Sequence, residues 1–207
     1  MRAYMKSALP FYGVQKPARR AAFTEVFAAH PLAGFEEWRA TVLALWDEAR
    51  FREERYGAIA LTGDRRNAAH QTPDALPLYE RLIVTGAWWD FVDELATRRV
   101  GPILRAYFDE VRPVVLTWSR SDDRWLRRTS IICQIGSKHE TDFELLHACI
   151  EPSLGERDFF LRKAIGWALR EHAKTDPGGV ARYVDARRAE LSPLSRREAL
   201  RRLISSS

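Results

Sequence analysis

Trp88-Trp89-Asp90-Phe91-Val92-Asp93 lies in a chain whose apolar residues recur three and four positions apart. That spacing predicts a helix over Ala87 to Arg98 and sets Trp89 and Asp93 one turn apart on one face. Trp88 points about 100° away from Trp89 and reads as packing. Asp90 reads as a supporting or capping group rather than a catalyst. A carboxylate beside an indole suits neither a plain surface nor a plain core. It suits a site that holds something cationic.

Helical signals continue on both sides of this stretch. Pro17 to His30, Phe35 to Glu48 and Phe51 to Leu61 each show the helical period, the first entered through proline. Thr72-Pro73-Asp74 marks a turn or helix start. Leu78 to Thr85 reads as the next helix, broken from the tryptophan stretch around Gly86. Ser121-Asp122-Asp123 caps a helix running to about Ile135 and stopped near Gly136. Thr141-Asp142-Phe143-Glu144 has the pattern of a capping box, with Pro152 closing its helix. Asp158 to Ala173 is a long helix. Asp176-Pro177 and Ser192-Pro193 open the last two, and the final one carries Arg196, Arg197, Arg201 and Arg202. Strand signals are scarce and no strict period repeats, so the expectation is all-α: a bundle or an α-solenoid of antiparallel helix pairs.

The 207 residues suffice for one domain with a sizeable core, and no shift in composition marks a second. The formal net charge of +5 is compatible with a polyanionic partner. The basic residues are mostly arginine, which suits bidentate phosphate contacts and stacking. Composition alone leaves a basic binding face and a simple arginine bias equally open. Cys133 and Cys149 fall in apolar helical runs and read as reduced core thiols. Trp38, Trp46, Trp118 and Trp125 read as core. His30, His70, His139, His147 and His172 show no metal-ligand spacing, so no metal and no cofactor is expected. No run is long and apolar enough for a membrane span and no targeting segment opens the chain, so a cytoplasmic protein is expected.

Four segments, taken in order, resemble one family. They are Thr85-Gly86-Ala87-Trp88-Trp89-Asp90 through Asp93; Trp125-Leu126-Arg127-Arg128; Arg162-Lys163-Ala164-Ile165-Gly166-Trp167-Ala168-Leu169-Arg170-Glu171; and Leu191-Ser192-Pro193-Leu194-Ser195-Arg196-Arg197-Glu198. Ala3-Tyr4-Met5-Lys6 and Gly13-Val14-Gln15 fit as well. In this order and spacing the chain is similar to the AlkD-type DNA alkylation repair glycosylases over essentially its whole length.

The resemblance implies an α-solenoid of HEAT-like antiparallel helix pairs whose concave face binds DNA, as a single domain over residues 1–207. It implies a monomer that acts on duplex DNA containing alkylated purines. The implied reaction is hydrolysis of the N-glycosidic bond at purines alkylated on N3 or N7, without flipping the base, unlike most enzymes of this kind. The family's catalytic aspartate corresponds to Asp93, its two sugar-flanking aromatics to Trp89 and Trp167, and the completing arginine to Arg128. Further DNA contacts fall on Tyr4, Gln15, Arg127 and Lys163. Family members usually carry a helix ahead of the Tyr4 segment, and here that helix is short or missing. Two other readings use the same fold: a DNA-structure-binding protein without catalysis, and a HEAT-type protein-interaction scaffold.

Overall fold

The structure, a computed structural model, describes residues 2–5 and 7–204, except for the side chains of residues 2, 3 and 202–204. Lys6 and the side chain of Arg202, both noted in the sequence, lie outside the described residues. Among the described residues every regular element is helical. This is the all-α class the sequence predicts, and it fits an α-solenoid built from packed helix pairs. The chain divides into two compact units, one ending at Phe91 and the other starting at Val92.

The first unit holds α1 (Arg2–Met5), α2 (Lys16–Ala29), α3 (Phe35–Asp47), α4 (Arg52–Thr62), α5 (Leu76–Gly86) and the start of α6 (Trp89–Leu95). Helix α4 packs against both α2 and α3. The face of α3 that meets the core carries Trp38, Val42 and Trp46, one turn apart and each 0% exposed. Burying a side chain of this size contributes about 2–3 kcal/mol. The Trp46 indole N–H donates to the Thr85 hydroxyl at 2.9 Å, so this buried donor is satisfied.

Helix α5 ends one residue later than the glycine predicted. Ala87 adopts a left-handed φ of 43° and Trp88 is a bend, so α6 starts at Trp89 rather than Ala87. Gly86 has a packing role instead. A β-carbon there would approach the Trp46 ring to 3.0 Å.

The second unit continues α6 through a π turn (Ala96–Val100) into α7 (Gly101–Ala106). It then holds α8 (Phe108–Ser119), α9 (Arg124–Ile132), α10 (Phe143–Ile150), α11 (Phe159–His172), α12 (Pro177–Ala186) and α13 (Pro193–Ile204). Four aspartates start helices here. Asp123 accepts from the Trp125 and Leu126 N–H groups, and Asp158 from Phe160 and Leu161. Asp142 and Asp176 cap α10 and α12 by accepting from Leu145 and Gly179. Each such cap contributes about 1 kcal/mol. The cap of α10 is therefore Asp142, not Thr141. The box read from the sequence is shifted by one residue, because Asp142 has the extended backbone from which a carboxylate reaches the third N–H. Asp123, not its exposed neighbour Asp122, does the same for α9. Helix α9 proper ends at Ile132, and turn residues lead to Gly136, whose φ is +95°.

Helix α11 is the centre of this unit and packs against α9 and α13. Leu161, Ala164, Ile165, Ala168 and Leu169 form its buried stripe. Trp118 and Trp125 are core, as read from the sequence. Cys133 and Cys149 are buried and reduced, and burial pushes the Cys149 thiol up to about 12.

One cluster makes this unit acid-sensitive. The His147 ring lies between Phe143 at 3.9 Å and Tyr183 at 4.0 Å, and His172 lies 4.3 Å from Phe143. Burial, opposed only in part by Glu151 beside His147 and Asp176 beside His172, holds both imidazoles below their ordinary value. The unfolded chain thus binds protons first as pH falls. The stability these rings contribute is complete above about pH 6.5 and is lost as pH drops below it. The urea midpoint should fall between pH 7.5 and pH 5.5, and a His147→Gln, His172→Gln double variant should flatten that dependence. An equally steep fall in the double variant would assign the effect elsewhere.

Candidate active site

Asp93 sits in the second turn of α6, four residues after Trp89, which opens the helix. Just beyond it the helix widens. Pro102 has no N–H to give the Arg98 carbonyl, and its ring crowds that oxygen. The backbone responds with the π turn at Ala96–Val100, in which the Gly101 N–H bonds to the Ala96 carbonyl. The Arg98 carbonyl instead accepts from Arg99 Nη1 at 2.8 Å. The Thr97 hydroxyl donates to the Asp93 carbonyl at 2.7 Å. A π turn is uncommon in helices and often marks a functional position.

The Asp93 carboxylate is held by Arg128 of α9 through two parallel bonds. Arg128 Nε donates to Oδ1 at 2.7 Å and Nη2 donates to Oδ2 at 2.8 Å. The third nitrogen, Nη1, donates to the Phe160 carbonyl at the start of α11, at 2.7 Å. The Arg128 side chain is only 6% exposed, whereas Asp93 retains 18%. Such a fork fixes the direction of the carboxylate. Phe160 is itself held in place by the Asp158 cap and lies 4.8 Å from the Trp125 ring. Burial raises the Asp158 carboxyl, but bonds from the Leu161 N–H, Arg124 and the Phe160 N–H bring it below the usual carboxylate range.

The structure thus joins Asp93 and Arg128 directly. Trp167 is half-buried on α11, one turn beyond Lys163 and two beyond Phe160. The Lys163 ammonium donates to Glu198 of α13 at 3.0 Å, and Arg170 bonds the other oxygen of the same carboxylate. The Lys163 bond is the main cause that holds Glu198 below its ordinary value. Arg127 Nη1 is taken by Glu156 at 2.7 Å. In the first unit Trp89 is half-buried, Tyr4 is 72% exposed on α1, and Gln15 is exposed just ahead of α2. Among the described residues no hydrogen bond or ion pair ties Tyr4 or Gln15 to another residue of the set.

Several supporting groups are not evident from the sequence. The Phe160 carbonyl is backbone and carries no side-chain signal. Arg52 and Tyr56 of α4 both bond the Asp90 carboxylate, Arg52 Nη2 at 2.7 Å from Oδ1 and the Tyr56 hydroxyl at Oδ2. Asp90, read as a supporting or capping group, is thus bound at both carboxylate oxygens. Buried Glu53 accepts from the Tyr12 and Gly13 N–H groups at 3.1 and 3.0 Å, and so holds the segment that leads to Gln15. Glu53 and Arg52 could have been suspected only as charges inside an otherwise apolar helical face. Pro102, four residues after Arg98, is the one sequence signal for the widened turn.

Among the described residues, then, a helical scaffold presents two arginine-bound carboxylates from α6, Asp90 held by Arg52 and Asp93 held by Arg128. Residues 1–203 match the model of the DNA alkylation repair enzyme family, and the chain belongs to that family. A solved structure described as a predicted DNA alkylation repair enzyme from Enterococcus faecalis is 28% identical, with a TM-score of 0.84. The match covers 97% of this chain and 91% of that one. No curated protein matches the chain. Membership places the protein in DNA repair, with DNA as the partner. Among the described residues no helix is long and apolar enough to cross a membrane, and no group of three or more His, Cys, Asp or Glu could hold a metal ion.

Proposed function

We propose that the protein is a monofunctional DNA glycosylase that hydrolyses the N-glycosidic bond of N3- and N7-alkylated purines in duplex DNA, without extruding the base. The observation that carries this reading is the Asp93 carboxylate, aimed by Arg128 and still partly open to solvent. A purine alkylated at N3 or N7 is already cationic, so it departs as a neutral base and takes the bonding electron pair. The sugar is left as an oxocarbenium-like cation. The Asp93 carboxylate stabilises that charge and orients the water that adds to C1′. One well-placed group of this kind lowers the barrier by about 3–4 kcal/mol.

Trp89 and Trp167 flank the lesion sugar and face its developing charge with their rings, each adding about 1–2 kcal/mol when water is excluded. Arg128 is shared between Asp93 and the phosphate beside the lesion. Tyr4, Gln15 and Arg127 serve as backbone contacts. Lys163 is engaged by Glu198, and no Schiff-base step is part of this reading, so the abasic product keeps its strands intact. Residues 1–207 serve as a single DNA-binding domain acting as a monomer.

The test is incubation of the protein with duplex carrying a single 7-methylguanine, with chromatography of the freed base and electrophoresis of the strand. Free base without strand cleavage is expected. Binding of the duplex should weaken steeply as salt is raised, because phosphate contacts release counterions. Tight binding with no base released would favour a non-catalytic DNA-structure binder. Salt-independent binding or none would remove DNA recognition altogether.

A further inference from the structure

The first turn of α6 is anchored more heavily than stability requires. Asp90 follows Trp89 in that turn, and its side chain is 12% exposed. Arg52, 6% exposed at its side chain, bonds one carboxylate oxygen, and the Tyr56 hydroxyl bonds the other. Arg52 Nε also donates to the Tyr56 hydroxyl at 3.1 Å, which closes a three-membered network. Aromatic groups enclose it: the Arg52 guanidinium lies 4.1 Å from the Phe91 ring, and Arg19 of α2 lies 4.0 Å from the Tyr56 ring. A buried ion pair of this sort adds little net stability, because desolvation offsets its attraction, and apolar residues of equal volume hold a fold as well. What it does supply is direction. A carboxylate bonded at both oxygens cannot turn, and neither can the helical turn that carries it.

We propose that Tyr56 and Arg52, acting through Asp90, are positioning residues that set the orientation of Trp89 for the reaction. The inference rests on the reading of Trp89 as an aromatic that flanks the lesion sugar. Burial and the bond to Asp90 push the Tyr56 hydroxyl up to about 12, so it stays a proton donor to Asp90 throughout the working range. Tyr56→Phe keeps the ring beneath Arg19 and beside Phe91, 5.2 Å away, and removes only the hydroxyl. Asp90→Asn keeps the shape of the side chain and removes the charge.

The experiment compares wild type, Tyr56→Phe and Asp90→Asn in single-turnover excision of 7-methylguanine with enzyme in excess. Affinity for the undamaged duplex and the 19F resonance of 5-fluorotryptophan at position 89, assigned through Trp89→Phe, are read in parallel. Tyr56→Phe should excise about tenfold more slowly, the scale of one orienting hydrogen bond. Undamaged-duplex affinity should stay within twofold, and the Trp89 resonance should shift or broaden. Asp90→Asn should move the resonance the same way, whether or not its melting temperature falls. An unchanged rate and resonance in Tyr56→Phe would overturn the inference while leaving the glycosylase reading intact. No excision by wild type would remove the glycosylase reading itself, and the inference with it.

Discussion

Replacing Asp93 by asparagine is expected to slow the release of methylated purine by about two to three orders of magnitude, the usual loss when one preorganised electrostatic group is removed. Asparagine keeps an oxygen for one Arg128 donor but turns an amide N–H toward the other, so half of the fork is lost. The negative charge opposite the sugar goes with it. Binding to undamaged duplex should change by about threefold or less, since the phosphate contacts lie on other side chains. Arg128 is nearly buried, and leaving it partly unpaired also costs stability, so rates belong well below both melting temperatures. An Asp93→Asn protein that kept more than a tenth of the wild-type rate would take Asp93 out of the chemistry. Arg128→Lys gives the complementary control. It retains charge without the fork, and should fall between wild type and Asp93→Asn.

The second large effect concerns the scaffold. Gly101→Ala should lower the melting temperature of the second unit by roughly 5 °C or more, at about 2–4 °C per kcal/mol for a chain of this size. A β-carbon at position 101 would stand 2.1 Å from the Cys133 carbonyl oxygen. That oxygen belongs to the backbone at the end of α9, so no side chain can swing aside. Alanine gains about 1 kcal/mol of helix propensity over glycine. Overpacking costs about 1–3 kcal/mol, and more when backbones must part, so the net sign is destabilising. Excision should fall as well, because parting these helices moves Arg128 relative to Asp93. Thermal melting followed by circular dichroism decides the matter. A Gly101→Ala protein melting within a degree of wild type would show that the approach is relaxed at no cost.

Much of the fold was legible because its signals are local. Aspartates ahead of apolar periodic runs mark the starts of α9, α11 and α12, since a short carboxylate bonds N–H groups two or three residues on. Trp38, Val42 and Trp46 announce their buried face by spacing alone. Helices α7 and α8 give weaker signals. Pro102 follows directly after Gly101, and Pro113 lies within α8, where it looks like a breaker. Yet proline is tolerated near a helix start, or where the preceding turn adjusts.

In the site, Asp93 was readable from its place one turn from Trp89 and Arg128 through the family resemblance, and the fork itself joins α6 to α9. The fixing of Arg128 by the Phe160 carbonyl was not readable, because every residue has a carbonyl. The network around Asp90 was hidden for another reason. Arg52 and Tyr56 lie in an ordinary amphipathic stretch, where charged and aromatic residues most often face solvent and core separately.

The π turn has a consequence for phase. Asp93 and Gly101 both meet α9, one through Arg128 and the other against Cys133. They are eight positions apart. In an uninterrupted α-helix, eight residues end about 80° off the starting direction, whereas seven fall only about 20° short of two full turns. The widened turn absorbs the eighth residue without advancing the rotation. One helix can therefore aim its carboxylate and its glycine at the same neighbour. Inserting a further residue between 96 and 100 would rotate one contact about 100° out of line with the other, although no side chain of the site had been altered.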